Sequence, residues 1–398
     1  MDVATFQWLL TDEGTALLAA AARAQEQGDP VRAAEEVRRL APAASPEQRA
    51  AALSQAALRQ RGRAKLGEAA DRMWFTPDGL EQATAPPVAA HRAARLAASD
   101  LADDPRGVVD LGCGIGSDLI AMAGAGLAVS GVDLDPVRVA VARANLAAAG
   151  HAGEVHRADA TEVDLDRFAL AFADPARRGG RGRTFDPDSW TPPWPFVEHL
   201  LRRPGVVKVA PGIPHDLVPG DVEAEWVSLG GEVKEAALWS PYLATARRRA
   251  TVITADGQVS LTEADDPWQG RDRPVRGLGG YLHEPDGAVI RAGLVTAVAA
   301  LADGGLVDEH IAWVTSDAPA SSPFARSYRV LERLPYREKQ LRAALRERGI
   351  GRLAIKKRGV DVVPEQLRKR LALRGDEEGT LVLTRVAGEG TALLVRPL

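Results

Sequence analysis

The chain has 398 residues, of which 45% are hydrophobic and 26% are charged, with a formal net charge of −4; this is the composition of a globular protein of two or three domains. No apolar run approaches the roughly 20 residues that cross a bilayer, and no basic segment with an apolar core begins the chain, so we expect a cytoplasmic protein without a membrane partner. The single cysteine, Cys113, excludes an internal disulfide, and the seven histidines are scattered, so we expect no metal.

The first segment, residues 1–85, is rich in Ala, Leu, Arg and Glu and shows no strand-like alternation. Gly28-Asp29-Pro30 interrupts the helical pattern, and Ser45-Pro46-Glu47 has the form of a helix start with proline at the first helical position. We predict a small N-terminal helical domain, followed by a helix over residues 89–100.

From Gly107 onward, short apolar runs alternate with amphipathic helical stretches, which is typical of βαβ units and a parallel sheet. The pattern predicts an α/β domain over residues 86–260 with a Rossmann-like, seven-stranded sheet whose last two strands form a hairpin. The predicted strands are 108–111, 128–132, 154–156, 169–172, 206–209, 232–239 and 250–254.

The last segment, residues 261–398, predicts a compact α+β domain. Its expected helices are 290–302, 336–347 and 364–371, and its expected strands are 311–314, 328–332, 353–357, 380–386 and 392–395.

The same segment carries a strong local charge. Residues 326–374 contain sixteen Lys/Arg against five Asp/Glu, an excess of +11. Such a basic stripe is typical of a nucleic-acid partner. The alternative is that arginine is the habitual basic residue of this chain, since only seven of its 50 basic residues are lysine.

A glycine motif follows the first predicted strand. Asp110 precedes Gly112, Gly114 and Gly116, and a helix begins directly after them. Glycines let the backbone approach a ligand, and a helix N-terminus presents free N–H groups to a carboxylate. The glycine spacing differs from the dinucleotide fingerprint, and Asp110 would face an ammonium group that nicotinamide cofactors lack. The pattern therefore predicts S-adenosylmethionine as the cofactor.

Two further carboxylates follow the next two strands. Asp133 ends the second strand, where a carboxylate can bind both ribose hydroxyls. Asp159 follows the third strand, where the 6-amino group of adenine is usually read. With Asp110, these acids predict a complete cofactor site.

Asp174 and Pro175 end the fourth strand, and we predict that they are catalytic. They resemble the Asp/Asn-Pro-Pro-aromatic signature of methyltransferases that act on base amines. There the acid and the next backbone carbonyl accept hydrogen bonds from the exocyclic amine and orient it. Ala176 and Arg177 replace the second proline and the aromatic residue, so Asp174 could instead contact the cofactor alone.

Seven residues are candidates for substrate binding, by contact with phosphates or by stacking on a base. They are Arg177, Arg178, Trp190 and Trp194 in and after the loop that follows the fourth strand, and Lys356, Lys357 and Arg358 in the basic segment. The alternative is that the tryptophans pack in the core and that the basic residues form a solvated strand end.

Over nearly its full length, the chain resembles the bacterial class I methyltransferases that carry a C-terminal THUMP-like, ferredoxin-like domain. The residues that carry the resemblance are 79–84, 110–116, 132–136, 142–145, 174–178, 323–328 and 355–359. The stretch 74–77 also looks like that of trimethylguanosine synthases, which methylate guanine N2 in RNA. Because THUMP domains bind tRNA, the resemblance implies an RNA partner, tRNA or rRNA, by analogy.

These observations together predict a methyltransferase that modifies a base amine of structured RNA. One alternative is a small-molecule or protein methyltransferase whose C-terminal domain serves only for packing. The other is a non-catalytic RNA-binding module that retains S-adenosylmethionine as a structural ligand.

Overall fold

The computed structural model describes residues 1–26, 30–177, 190–268 and 274–398. The chain divides into two compact units. The first comprises Met1–Val209, Ile213–Val222 and Ala237–Ala244, and the second comprises Ala210–Gly212, Glu223–Ala236 and Thr245–Leu398. The expected boundaries after residues 85 and 260 stay predictions.

The first unit begins with helices, as the composition predicted. They are α1 (Val3–Leu9), α2 (Asp12–Glu26), α3 (Pro30–Leu40), α4 (Pro46–Leu66), α5 (Pro77–Gln82) and α6 (Pro86–Ala97). The predicted start of α4 is confirmed: Ser45 is the N-cap, its hydroxyl accepts from the Gln48 amide, and the Gln48 side chain accepts from the Ser45 amide at 2.7 Å. Of the predicted break at Gly28-Asp29-Pro30, only Pro30 lies within the described residues, as the first residue of α3.

Two side-chain amides hold the extended dipeptide Trp74-Phe75. Asn145 accepts from the Trp74 amide at 2.7 Å and donates to the Trp74 carbonyl at 3.0 Å. Gln55, on α4, accepts from the Phe75 amide at 3.0 Å and donates to the Phe75 carbonyl at 2.5 Å. Both amides are buried, so the segment is paired on two sides as a strand would be.

The α/β core follows the helices. Its strands are β1 (Val108–Leu111), β2 (Val129–Asp133), β3 (Glu154–Arg157) and β4 (Leu170–Ala173), then the short β5 (Ala176–Arg177) and β6 (Trp190–Thr191), and β7 (Gly205–Val209). Its helices are α7 (Ser117–Gly124), α8 (Pro136–Ala148) and α9 (Trp194–Leu201). β1 pairs in parallel with β2 and with β4, and β4 pairs in parallel with β7. The carboxyl ends of these strands therefore meet at one edge of the sheet.

The Rossmann-like class is confirmed, but the predicted count of seven strands is too low for the described sheet, which has nine. The strands beyond β7 are β8 (Glu223–Leu229), β9 (Glu232–Trp239), β10 (Arg248–Thr254) and β11 (Gly257–Thr262), and of these β8 and β11 were not predicted. The hydrogen-bonded order is β11-β10-β8-β9-β7-β4-β1-β2-β3.

The predicted hairpin of residues 232–239 with 250–254 is wrong. β9 lies beside β8, to which it is joined by Gly230 and Gly231, both at positive φ (+62° and +83°). β10 instead pairs in parallel with β8. The apolar pattern did not predict β8 because this strand carries two buried acids, Glu223 and Glu225. Glu223 accepts from Arg249 Nε at 2.8 Å, and Glu225 accepts from Thr251 Oγ1 at 2.6 Å.

In its described residues, the second unit also contains a separate seven-stranded sheet and four α-helices. The strands are β12 (Tyr281–Pro285), β13 (Gly305–Asp308), β14 (Ile311–Ser316), β15 (Ala325–Leu334), β16 (Ile350–Lys357), β17 (Glu377–Val386) and β18 (Glu389–Pro397), in the order β13-β14-β12-β15-β18-β17-β16. The helices are α10 (Gly287–Ala292), α11 (Val295–Leu301), α12 (Glu338–Glu347) and α13 (Pro364–Leu371). The expected single helix over 290–302 is divided at Gly293, which has a φ of +72°.

The α+β class of the C-terminal region is confirmed, but its connectivity is not that of a ferredoxin-like fold. From β15 onward the order is β-α-β-α-β-β, whereas a ferredoxin-like fold runs β-α-β-β-α-β. β16 pairs in parallel with β17, and β18 pairs antiparallel with both β17 and β15. The two strands that would lie in the middle of a ferredoxin-like chain are here the terminal hairpin.

Candidate functional site

The glycine motif forms the turn between β1 and α7. Gly112, Gly114 and Gly116 have φ values of +89°, +56° and +85°, which favour glycine. A Cβ on Gly116 would lie 3.3 Å from the Cβ of Ala142, so this glycine serves helix packing. A Cβ on Gly112 or Gly114 would meet no atom within 4 Å in the described structure. These two positions therefore leave room for a ligand to approach the backbone.

A cavity of about 800 Å³ opens beside this turn, within the first unit. Its described walls carry six aspartates and two cationic side chains. They are Asp110, Asp118, Asp133, Asp135, Asp159 and Asp174 with Arg138 and Lys208. A cavity with this excess of carboxylates suits a cationic ligand, because the summed field of the wall attracts positive charge.

Asp110, at the end of β1, is the least satisfied of these acids. It is 1% exposed, and neither of its carboxylate oxygens has a hydrogen-bond partner among the described residues. Burial raises the pKa of its carboxyl well above the ordinary value, and the neighbouring Asp118 and Asp174 carboxylates raise it further. A buried acceptor without a donor is costly, so this position fits the ammonium group of a methionine moiety.

Asp133, at the end of β2, is tied to the glycine turn. One carboxylate oxygen accepts from the Gly114 amide at 3.0 Å, and the other accepts from the Asp135 amide at 2.9 Å. The carboxylate is thereby fixed beside the turn, and each oxygen retains a second lone pair for a ligand hydroxyl.

Asp159, after β3, lies on the same cavity. It accepts from the Thr161 amide at 2.9 Å and from the Thr161 hydroxyl at 2.7 Å, and these hydrogen bonds lower the pKa of its carboxyl. The structure therefore brings Asp110, Asp133 and Asp159 together around one cavity, in the order in which they leave consecutive strands.

Asp174 and Pro175 lie at the end of β4 and also line the cavity. The Asp174 side chain is 35% exposed, and its Oδ2 accepts from Lys208 Nζ at 2.5 Å. Lys208 belongs to β7, the next strand of the sheet, and its side chain is 16% exposed. The acid predicted to be catalytic is therefore held by a partly buried cation.

Sequence reasoning missed Lys208 and the groups behind it. Lys208 Nζ also donates to Thr84 Oγ1 at 3.2 Å, and Thr84 Oγ1 donates to Asp118 Oδ2 at 2.7 Å. Arg92 forms an ion pair with Asp118, and its guanidinium lies 4.7 Å from the centre of the Phe172 ring. The available signal was a single lysine in an otherwise apolar strand, Val206-Val207-Lys208-Val209.

The four predicted substrate residues after β4 lie in different surroundings. Arg177 and Trp190 are opposite each other in the antiparallel β5–β6 pair, and Arg178 lies outside the described residues. Trp194 is the first residue of α9 and is only 8% exposed. This low exposure favours the alternative that Trp194 packs in the core, and its role as a stacking platform stays a prediction.

The other three predicted substrate residues lie in the second unit. Lys356 Nζ donates to Glu284 Oε2 at 2.6 Å and lies 5.6 Å from the centre of the Tyr328 ring. The Arg358 guanidinium lies 5.9 Å from the Trp313 ring, and burial lowers its pKa. Lys357 is exposed. Within this triplet, the structure therefore leaves Lys357 as the best-placed residue for a phosphate.

Membrane-spanning helices and metal clusters were both possible in the described ranges 1–26, 30–177, 190–268 and 274–398. No helix in them combines the length and the apolar character needed to cross a membrane. Within those ranges, no group of three or more His, Cys, Asp or Glu side chains is arranged to hold a metal ion.

Comparison with protein families gives three matches. Residues 108–174 match a family described as "Methyltransferase domain", and residues 325–397 match "THUMP domain-like". Residues 2–62 match a domain of unknown function.

Comparison with individual proteins extends over most of the chain. A protein described as an uncharacterized S-adenosylmethionine-dependent methyltransferase of Mycobacterium tuberculosis, found in strains CDC 1551 and H37Rv, is 39% identical over 355 residues, which are 85% of this chain and 95% of that protein. The crystal structure of a candidate methyltransferase from Porphyromonas gingivalis W83 has a TM-score of 0.76 and 23% identity over 96% of this chain and 98% of that one. The similarity to the Porphyromonas gingivalis structure supports the fold of this chain.

Proposed function

We propose that this chain transfers a methyl group to a base amine of structured RNA, either tRNA or rRNA. The chain belongs to the class I S-adenosylmethionine-dependent methyltransferases with a C-terminal THUMP-like domain. Membership of this family makes the protein an enzyme with S-adenosylmethionine as its cofactor. It therefore argues against the alternative of a non-catalytic RNA-binding module. The observation that carries the proposal is the Asp174 carboxylate, which is partly exposed on the cavity wall at the end of β4.

The cofactor cradle follows from the geometry of the cavity. Asp110 would accept from the ammonium of the methionine moiety, because its two buried oxygens lack donors in the described structure. Asp133 would accept from the ribose hydroxyls, and Asp159 from the adenine amine. Gly112 and Gly114 would let the backbone lie against the ligand, since their missing side chains leave open space.

When bound, the cofactor supplies an electrophilic methyl carbon on a sulfonium. The task of the chain is to orient the acceptor nitrogen for in-line attack, in which the N–C bond forms as the C–S bond breaks. Asp174 and the Pro175 carbonyl would accept the two N–H groups of the amine and direct its lone pair to the methyl carbon. The proton released after transfer would leave through Asp174 to solvent, because this carboxylate is one-third exposed.

The RNA part of the proposal is supported by the likeness of residues 325–397 to THUMP domains and by the basic excess of residues 326–374. One observation favours the alternative of a small-molecule or protein acceptor: many of these cations are already paired. Besides Lys356, ion pairs join Arg348 to Glu332 at 2.7 Å, Arg352 to Glu378 at 2.8 Å and Arg370 to Glu338 at 2.9 Å.

The test is transfer of tritiated methyl groups into the total RNA, protein and metabolite fractions of a strain that lacks the gene. We expect label in RNA, with release as a methylated base amine after nuclease digestion. Asp174→Ala should lower turnover by about 10²-fold, the scale of a lost transition-state contact, while leaving S-adenosylhomocysteine affinity unchanged. Asp256→Ala, a change at an exposed turn, is the control. Label confined to the protein or metabolite fraction would overturn the RNA proposal.

A further inference from the structure

We infer that Lys208 is a positioning residue for methyl transfer, which fixes the Asp174 carboxylate with one oxygen turned to the acceptor. The inference deepens the proposed function and rests on its assignment of Asp174. It assigns Lys208 no contact with the substrate or the methyl group. Its basis is a chain of side-chain contacts that begins at Asp174 and continues behind the cavity wall.

The first contact is the ion pair between Lys208 Nζ and Asp174 Oδ2, at 2.5 Å. Both side chains stand at the carboxyl ends of adjacent strands, so the sheet itself sets their spacing. The lysine is 16% exposed, and a cation taken out of water this far is stable only when it is paired and hydrogen-bonded. We therefore expect the ion pair with Asp174 to hold the Lys208 side chain in one conformation.

The second contact anchors the lysine from the other side. Its Nζ donates to Thr84 Oγ1 at 3.2 Å, and that hydroxyl donates onward to Asp118 Oδ2 at 2.7 Å. Asp118, on α7, is held in turn by the buried Arg92 on α6. Because Thr84 accepts from one partner and donates to the other, both capacities of its hydroxyl are used.

The consequence for Asp174 is that its two oxygens are no longer equivalent. Lys208 occupies Oδ2, while no hydrogen bond from the described residues occupies Oδ1. Since Oδ1 has no donor among the described residues, it can accept from an amine N–H. Without the cation we expect Asp174 to turn toward solvent, which would leave the acceptor amine unoriented.

The experiment compares Lys208→Met, which keeps the length of the side chain and removes its charge, with Lys208→Arg, which keeps the charge. Lys234→Met is the matched control, since Lys234 pairs with Glu232 at the same 2.5 Å distance in an exposed position of the second unit. Each variant is assayed for kcat and KM on whichever cell fraction accepts label, and for S-adenosylhomocysteine affinity by calorimetry. A crystal structure of Lys208→Met with S-adenosylhomocysteine reports the orientation of Asp174.

For Lys208→Met we expect kcat to fall by up to about 100-fold, the scale of a misplaced reacting group, with KM and S-adenosylhomocysteine affinity close to wild type. Lys208→Arg should recover most of the loss, and Lys234→Met should match wild type. Since Lys208 acts through Asp174, the double variant Asp174→Ala/Lys208→Met should be no slower than Asp174→Ala alone.

Three outcomes would overturn the inference. A parallel fall in S-adenosylhomocysteine affinity and kcat would make Lys208 a cofactor or folding residue. Unchanged kcat, or an Asp174 carboxylate that keeps its orientation in Lys208→Met, would reduce the pair to a structural contact. If label enters protein or metabolites instead of RNA, the proposed acceptor fails, but the same variants still decide the role of Lys208.

Discussion

Asp110→Asn should have opposite effects on the stability of the free protein and on its affinity for the cofactor. The substitution keeps the shape of the side chain and removes a charge that is 1% exposed and unpartnered in the described structure. An unsatisfied buried polar group costs about 1–3 kcal/mol, and a charged one costs more. Because the amide remains buried and polar, we expect a gain of about 1–2 kcal/mol in the free energy of unfolding without ligand.

The gain should depend on pH in a direction fixed by the raised pKa of Asp110. Folding favours the protonated carboxyl, so the wild type retains its full stability below the ordinary aspartate pKa of about 4 and loses stability as pH rises toward the folded-state value. The difference between Asp110→Asn and wild type should therefore be larger at pH 7.5 than at pH 5. Urea denaturation at the two pH values, without ligand, measures it.

Cofactor affinity should change in the other direction. Loss of a charge-assisted hydrogen bond to the ammonium costs about 1.5–3 kcal/mol, which is roughly a 10- to 150-fold rise in the Kd of S-adenosylhomocysteine. Asp118→Asn is the control for the same chemical change at a paired acid. It should destabilise the free protein by about 3 kcal/mol, because it breaks the ion pair of the buried Arg92. The reasoning is refuted if Asp110→Asn is less stable than wild type without ligand at pH 7.5, or binds S-adenosylhomocysteine equally well.

Three further changes test other parts of the molecule. Asp133→Ala should weaken S-adenosylhomocysteine binding by about 1–3 kcal/mol in calorimetry, and unchanged affinity would remove Asp133 from the ribose site. Thr84→Val removes the hydroxyl that joins Lys208 to Asp118; kcat should fall less than in Lys208→Met, with affinity preserved, and an equal or larger loss would contradict the proposed order of contacts. Lys357→Glu should weaken binding of a tRNA fragment and make its salt dependence shallower by about one unit in anisotropy titrations, whereas an unchanged slope would argue that the second unit does not contact phosphate there.

Much of the catalytic core could be predicted because its signals are local. The apolar runs of β1 to β4 and β7 are separated by helical stretches, the glycine turn follows β1 directly, and Asp133 is the last residue of β2. Features that depend on strand order could not be predicted. Asp174 and Lys208 are 34 residues apart and meet only because β4 and β7 are neighbours in the sheet.

The errors also have physical causes. Buried glutamates hid β8, since the periodicity of a strand is read from apolar residues and Glu223 has its partner, Arg249, 26 residues away. The low exposure of Trp194 was not foreseen, because an aromatic residue in a proline-rich stretch gives no sign in the sequence of whether it is buried. The charge excess of residues 326–374 was overvalued because carboxylates outside that window, Glu284 and Glu378, neutralise part of it.

The paired amides at Trp74 and Phe75 limit how this protein can be recombined with its relatives. A primary amide presents a donor and an acceptor side by side, whereas an ionised carboxylate only accepts and leucine does neither, so neither ionised aspartate nor leucine can make both bonds of Asn145, and the same reasoning applies to Gln55. The match to a domain of unknown function ends at residue 62, yet Gln55 inside it is hydrogen-bonded to Phe75 beyond it. A chimera joined at residue 62 takes Gln55 from one parent and Phe75 from the other. We expect it to fold only if the helix of the first parent also places a primary amide opposite Phe75. Chimeras that take residues 55–145 from a single parent keep both pairs of hydrogen bonds.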